Sequence, residues 1–525
     1  MMRSAICSTV FRLALAILGM VAAGLSGVRG ADPLEERITK LIDSDRYRPS
    51  LWGILVVDRE RGDTLWQRNP DKMFAPASVT KLFSTAAAWD AFGPEHRFTT
   101  QLFRRGEVKA GVLRGDLILK ANGDLTLGGR TNANGSIDFR NGDHTYSNFY
   151  DTAEITAPDP LHGLDDLAAQ IADSKIRRIE GEILIDDTLF DHSTGSGSGP
   201  SLLTPFMVND NLIDLVITPT TPGQPAKVTW RPESSAVQVD AQIKTGSADS
   251  KPETWIRGTS LADITISGSI PAGHKPLVRF FEVPQPARFG RTLLIEALRR
   301  AGVSTSASPD SLPPLQVRLP TAKDYDGLPA IAKLESPRFA EEVKLVLKVS
   351  HNLHASTLPL LLAQKHGKRT LEEGLSLQAD FLKKAEIDLD SVSFAGGAGG
   401  TSADFVTPQA TVRLLNHMAA QPSFPAFRQA LPILGVDGTL AKAPADLQVK
   451  GKVQAKTGTL VWRDTLNRRY LLAAKGLAGY LTTASGREVT FAFFFNRVHV
   501  DKHTDGEAVG HDLMRLCEIL YDEVK

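Results

Sequence analysis

Cysteine is nearly missing from this chain of 525 residues: only Cys7 and Cys517 occur. Cys7 precedes an N-terminal apolar run, so once that segment is removed Cys517 stands alone and no intrachain disulfide can form. Excess charge is missing too. Lysine plus arginine and aspartate plus glutamate number 60 each, and no long basic stripe interrupts the balance. That excludes the electrostatic footprint of a nucleic-acid-binding protein. After residue 30 no stretch is long and apolar enough to span a membrane, so any membrane association is at most peripheral. Internal repeats are absent. The run Gly396-Gly-Ala-Gly-Gly400 is not followed by Gly-Lys-Ser/Thr, so it reads as a structural turn and not a phosphate loop. His499, His503 and His511 lack the carboxylate or cysteine that would complete a familiar metal-ligand spacing.

What is present begins with a leader. Arg3 and Arg12 flank the apolar run from Leu13 to Leu25, and Val28-Arg29-Gly30 offers a small-x-small cleavage site before Ala31. This pattern reads as a secretory signal peptide over residues 1–30 and implies an exported, periplasmic or otherwise extracytoplasmic protein. The whole chain has 42% hydrophobic and 23% charged residues, an ordinary globular composition, and the length suggests about two to four domains.

Periodicity divides the chain into three textures. Residues 31–97 give a helix near 34–42, a strand at 52–57, a turn, a second strand at 64–67 and a further helix. From 98 to 324 short strands and turns dominate, with helical spacing near 161–171 and 291–300 and polar excursions at 131–152 and 192–201. An inner unit of this region is expected at about 165–285. Residues 325–525 return to helices, then strands at 453–457, 476–483 and 489–496, then a final helix. The pattern suggests one α/β domain built from both ends of the chain and split by a large β-rich insertion.

Three clusters carry chemistry. In Phe74-Ala-Pro-Ala-Ser78-Val-Thr-Lys81 an apolar helix begins just after the motif, and Pro76 suits its start. Ser78 and Lys81 then share one face a turn apart, where a hydroxyl and an amine can act as nucleophile and base. By itself the stretch is better read as a capping serine and a solvated lysine, since Ser-x-x-Lys arises readily by chance. The second cluster is Ser350-His351-Asn352, between helices, a hydroxyl and a carboxamide able to face one cleft. The third is Lys456-Thr457-Gly458-Thr459 on a strand. There a lysine can hold a carboxylate, threonine adds a hydroxyl, and glycine leaves room for an extended substrate.

In this order and separation, Ser78-x-x-Lys81, Ser350-x-Asn352 and Lys456-Thr-Gly458 resemble the three motifs of serine penicillin-recognising enzymes. The long gap between the first two narrows the resemblance to the low-molecular-mass class C penicillin-binding proteins, the D-alanyl-D-alanine carboxypeptidase/endopeptidase family of penicillin-binding protein 4. Gly123-Asp-Leu-Thr-Leu127, Asn209-Asp-Asn211 and Gly476-Leu-Ala-Gly-Tyr480 are similar to that family as well. The resemblance implies a transpeptidase-like α/β (α+β) domain, an antiparallel sheet flanked by helices, acting on peptidoglycan stem peptides and inhibited by β-lactams. It implies Ser78 as nucleophile and Lys81 as its base. Ser350 would relay a proton to the leaving amine, and Asn352 would bind the substrate amide and orient Lys81. Lys456 and Thr457 would hold the terminal carboxylate beside Gly458, with the backbone N–H groups of Ser78 and Thr459 as oxyanion hole. No metal or organic cofactor is required.

The chain departs from the family at His351, where a small or acidic residue is usual, and at Ser356, where an acidic one is common. His351, the variable position of its motif, is expected to turn away from the chemistry, and Asn209-Asp-Asn211 to build a turn beside the cleft. Residues 461–475 form a longer and more basic segment than the family pattern and read as a solvated loop. Two rival readings stay open: a β-lactamase or esterase on the same scaffold, which needs a device for rapid deacylation, and a non-catalytic penicillin-binding wall module, which needs neither lysine.

Overall fold

The computed structural model describes residues 33–314, 316–502 and 505–525. The leader, its cleavage point, Cys7 and His503 lie outside the described residues. Among those described, no helix is long and apolar enough to cross a membrane.

Strands from both ends of the chain make one five-stranded sheet, in the order Val453–Asp464, Arg469–Thr482, Glu488–Val500, Leu51–Asp58 and Thr64–Arg68, antiparallel throughout. The nearly unbroken apolar sequence of Glu488–Val500 suits a central strand covered on both faces. On one face Phe491, Phe493 and Phe495 pack with Trp52 against the helices Pro33–Ile42 and Gly506–Glu523. On the other, Ala492 and Phe494 join the core around the helix Lys81–Phe92, whose first nine residues are all buried. A helix apolar all round is one that belongs inside. Gly53 makes the entry to this helix possible, since a Cβ there would lie 2.2 Å from the Phe74 ring. Gly93, at φ 76°, ends it.

Between the two halves lies a second core. The hairpin Thr99–Lys109 and Val112–Lys120 turns on Ala110 and Gly111, both left-handed as a type I′ turn requires. Its sheet also holds Ser304–Thr305, Arg178–Ile179, Ile183–Asp186 and Ala330–Glu335. Ala330–Glu335 pairs with Thr99–Lys109, so the inserted sheet closes beyond residue 325. Two smaller sheets stand within it: Lys227–Arg231 with Leu212–Thr218 and Leu277–Glu282, and Val239–Gly246 with Ile264–Pro271 and Glu253–Arg257.

Residues 461–475 differ from the loop that charge alone suggests. They prolong the hairpin of Val453–Asp464 and Arg469–Thr482, with pairing as far as Asp464 opposite Arg469. Arg463, Arg468 and Arg469 stand on an edge ribbon, where charge keeps an exposed strand soluble without breaking its pairing. Trp462 is 50% exposed on it, and His499 Nε2 lies 2.9 Å from Asp464 Oδ2.

Candidate active site

Ser78 sits in a short 3₁₀ turn, Ala77–Thr80, that leads into the helix Lys81–Phe92. Ala77 takes φ 48°, a conformation unfavourable for a non-glycine residue, and this turns Ser78 towards the cleft. Lys81 is fully buried, its Nζ 2.8 Å from Ser78 Oγ, 2.7 Å from Asn352 Oδ1 and 2.8 Å from Ala398 O. An ammonium donates to all three; a neutral amine donates to two and turns its lone pair on the Ser78 hydroxyl. Burial, and then repulsion from Lys456, hold the Lys81 amine well below the usual lysine range. The neutral form that a base requires is therefore accessible.

Ser350 and Asn352 lie at the junction of the helices Phe339–Lys348 and Asn352–Lys365. Ser350 adopts φ 65°, and its carbonyl accepts a 2.5 Å hydrogen bond from Tyr146 Oη. Lys456 Nζ, also fully buried, donates to Ser350 Oγ at 2.9 Å and to Thr457 O at 2.8 Å. Burial pulls Lys456 down to about 7. Thr457 Oγ1 donates to Thr439 Oγ1 at 2.8 Å. Gly458 earns its place by close approach: an added Cβ would stand 2.3 Å from Pro76 O and 3.3 Å from Ser78 N. The strand thus runs against the nucleophile's own turn. The structure brings Ser78, Lys81, Ser350, Asn352 and Lys456 together as two hydrogen-bonded groups, Ser78–Lys81–Asn352 and Ser350–Lys456, with Thr457, Gly458 and Thr459 on the adjoining strand.

Three contributors were not apparent from the sequence. The glycine-rich run supplies Ala398 O to Lys81, and Gly397 and Gly399 have no room for a side chain, since a Cβ would meet Ala355 O and Ala77 O at 2.0 Å. Buried Asp404 fixes this loop by accepting from the N–H groups of Ala395 and Thr401. The two polar excursions of the inserted region also reach the site. Tyr146 Oη and Ser198 Oγ accept from Asn352 Nδ2 at 3.3 and 3.0 Å. Their only sequence signal was their position near Gly- and Ser-rich turns.

Behind Ser350 lies a buried charge network, and His351 is turned into it. Asn209, Asp210 and Asn211 are all left-handed, at φ 50°, 53° and 55°. This costs roughly 1–2 kcal/mol per residue, and it aims Asp210 inward. Asp210 Oδ2 meets Arg130 Nη2 at 2.7 Å and His144 Nε2 at 2.8 Å, and its Oδ1 meets His354 Nε2 at 2.7 Å. His144 Nδ1 reaches Asp214 Oδ1 at 2.6 Å, Arg130 also pairs with Asp143, and His354 Nδ1 reaches Glu342 Oε1 at 2.7 Å. Although burial opposes it, the surrounding carboxylates raise His144 to about 10 and His354 to about 9. Burial beside His354 lowers His351 to about 4, leaving it neutral. His351 Nδ1 accepts from His354 N at 3.3 Å, and its Nε2 stands 3.4 Å from Asp210 Oδ1 without a well-aligned bond.

Asp210, His351 and His354 are close enough to suggest a metal triad. The His354–Asp210 separation is that of a hydrogen bond, shorter than the roughly 3.3 Å between two ligands held tetrahedrally at about 2.0–2.1 Å. The Arg130 cation already occupies Asp210. Ion pairing accounts for the cluster, and it ties residues of the inserted region to the turn that presents Ser350 and Asn352.

Residues 34–515 match the model of the D-Ala-D-Ala carboxypeptidase 3 (S13) family. The chain is similar to the D-alanyl-D-alanine carboxypeptidase of Actinomadura sp. (strain R39), 27% identical over 489 residues that cover 87% of this chain and 82% of that protein. It is 22% identical to D-alanyl-D-alanine carboxypeptidase DacB of Haemophilus influenzae over 85% of both chains. The solved structure of penicillin binding protein 4 (dacB) from Haemophilus influenzae superposes with a TM-score of 0.67 at 20% identity, covering 92% of this chain and 99% of that one. The likeness in fold and the match along almost the whole chain make this protein a serine hydrolase belonging to the D-Ala-D-Ala carboxypeptidase 3 (S13) family.

Proposed function

We propose that this is an exported DD-peptidase, which cleaves the bond after the penultimate D-alanine of peptidoglycan stem peptides through an acyl-enzyme on Ser78. One observation carries the reading: Lys81 Nζ touches both Ser78 Oγ and Asn352 Oδ1, while Lys456 Nζ touches Ser350 Oγ. Two buried lysines, each against a hydroxyl, give a proton route in and a proton route out.

Neutral Lys81 takes the Ser78 proton as Oγ attacks the carbonyl carbon. The N–H groups of Ser78 and Thr459 receive the oxyanion, a contribution of roughly 3–4 kcal/mol per donor. The C–N bond breaks, Ser350 Oγ–H passes a proton to the departing amine, and the proton that Lys81 took from Ser78 restores it, directly or by way of Lys456, leaving Lys81 neutral. Asn352 holds Lys81 and the substrate amide, and Thr457 and Lys456 face the terminal carboxylate. Water, deprotonated by Lys81, then attacks the ester and frees Ser78. A β-lactam follows the first half of this path and leaves an acyl group on Ser78.

Gly458→Ala is expected to lower D-alanine release by on the order of a hundredfold, because the strand must retreat from the nucleophile's turn by part of an ångström or more. Steady-state hydrolysis of a D-Ala-D-Ala peptide measures it. Purified protein incubated with monomeric pentapeptide muropeptides and with cross-linked dimers tests the function itself. Release of D-alanine from the first, of monomers from the second, or both supports the reading; inertness towards both contradicts it.

A further inference from the structure

A third lysine stands beside the substrate strand and is used by none of the steps above. Lys475 is the cross-strand partner of Thr459, and its Nζ donates to Thr459 Oγ1 at 2.9 Å. Side chains opposite one another in an antiparallel pair share a face, and Thr457 shares it with Thr459. So one ammonium and two hydroxyls line the same edge. Among the described residues no carboxylate forms an ion pair with Lys475; Glu507 acts on it only from a distance.

The other two lysines are spoken for. Lys81 is shared among Ser78, Asn352 and Ala398, and Lys456 between Ser350 and Thr457. Both are also drawn towards the neutral form. Lys475 makes one hydrogen bond among the described residues and has donors to spare. The helix Gly506–Glu523 leaves space for it: a Cβ at Gly510 would lie 3.1 Å from Lys475 Cε and 3.2 Å from its Nζ. Glycine inside a helix costs about 1 kcal/mol relative to alanine, and here it lets the lysine rise past the helix to the edge of the sheet.

We infer that Lys475 is a substrate-binding residue that, with the Thr457 and Thr459 hydroxyls, reads the free α-carboxylate of the residue leaving from the scissile bond. By donating to Thr459 Oγ1 it leaves the Thr459 hydroxyl proton free to point at a carboxylate oxygen. It also adds a positive charge beside that of Lys456, one that takes no part in proton transfer. Burial lowers Lys475 to about 8, so it stays mostly charged at neutral pH and an incoming carboxylate strengthens that charge. The inference rests on the peptidase reading given above.

The test compares two substrates that differ only at the C-terminus, an acylated peptide ending in D-Ala-D-Ala carboxylate and the same peptide ending in D-alaninamide. The wild-type chain is set against Lys475→Met and Lys475→Arg. A charge-assisted contact corresponds to about ten- to a hundredfold in kcat/KM. Lys475→Met is expected to lose that factor on the carboxylate, to stay within about twofold on the amide, and to be largely rescued by arginine. Equal losses on both substrates, or no loss on the carboxylate, would overturn the assignment. Should the wild-type chain cleave neither peptide, the peptidase reading fails by itself. The rate of acylation by benzylpenicillin against its methyl ester then decides Lys475 separately, and absence of a carboxylate-specific loss there, including absence of any acylation, counts against it.

Discussion

Ser78→Ala is expected to abolish D-alanine release, lowering kcat by on the order of 10⁴- to 10⁶-fold. The effect is this large because, among the described residues, Ser78 is the only hydroxyl hydrogen-bonded to Lys81 Nζ, so nothing nearby can take over attack. The fold should survive, since Ser78 is partly exposed and Lys81 keeps Asn352 Oδ1 and Ala398 O. Circular dichroism and the unfolding midpoint should match those of the wild type while turnover disappears. The pH dependence of kcat/KM follows from the same geometry. On the acid side the rate should rise as Lys81 loses its proton, at a pH well below the usual lysine range. On the alkaline side it should fall as Lys456, drawn down to about 7, and Lys475, drawn down to about 8, lose the charges that face the carboxylate.

Asp210→Asn is expected to give the largest change in stability, about 3–5 kcal/mol, as for breaking a buried ion pair from one side. The amide removes the negative charge that Arg130, His144 and His354 share, while all three remain buried. It also leaves three consecutive left-handed residues without the contact that repays their strain. The wild-type network carries its own pH signature. His144 and His354 are raised above their unfolded value, so their stabilisation is complete below about pH 6.5 and is lost as pH rises through about 9 and 10. Asp210, held low mainly by Arg130 against the cost of burial, contributes stability above its unfolded value near 3.9 and loses it as pH falls through its folded one. His351 works in the acid direction too. Lowered to about 4, it stays neutral where the unfolded chain binds a proton, so stability drops between about pH 6.5 and 4. Chemical denaturation across pH should therefore show a maximum near neutrality, and Asp210→Asn should flatten the alkaline limb, because His144 and His354 lose a carboxylate that raises them. An unfolding free energy independent of pH from 5 to 9 would contradict the arrangement.

The parts of the site that chemistry ties to fixed residue types were legible in the sequence. A nucleophile beside a base one helical turn on, a hydroxyl and a carboxamide flanking one residue, and a lysine before a hydroxyl and a glycine on a strand each follow a local rule. Even the split sheet could be read, because strand and helix periodicity return after a long β-rich interval. What stayed hidden depends on pairing between distant residues. Tyr146, Ser198 and Ala398 lie in polar or glycine-rich stretches that resemble surface loops, and only the fold sets them on Ser350, Asn352 and Lys81. His351 was expected to turn aside, and the distant carboxylates it turns to come from positions 143 and 210. The charges at 461–475 mimic a loop because an edge ribbon and a solvated loop have the same composition. Lys475 sits where that ribbon rejoins the site, which is why its basic character looked like solubility.

Ser78 as the acylated nucleophile is the claim on which the rest depends, and intact-mass analysis after exposure to benzylpenicillin measures it most directly. A stable adduct of one whole penicillin molecule, mapped by peptide fragmentation to Ser78 and missing from Ser78→Ala, is the expected result. No adduct, an adduct on another residue, or penicillin turned over so fast that none accumulates would contradict the account.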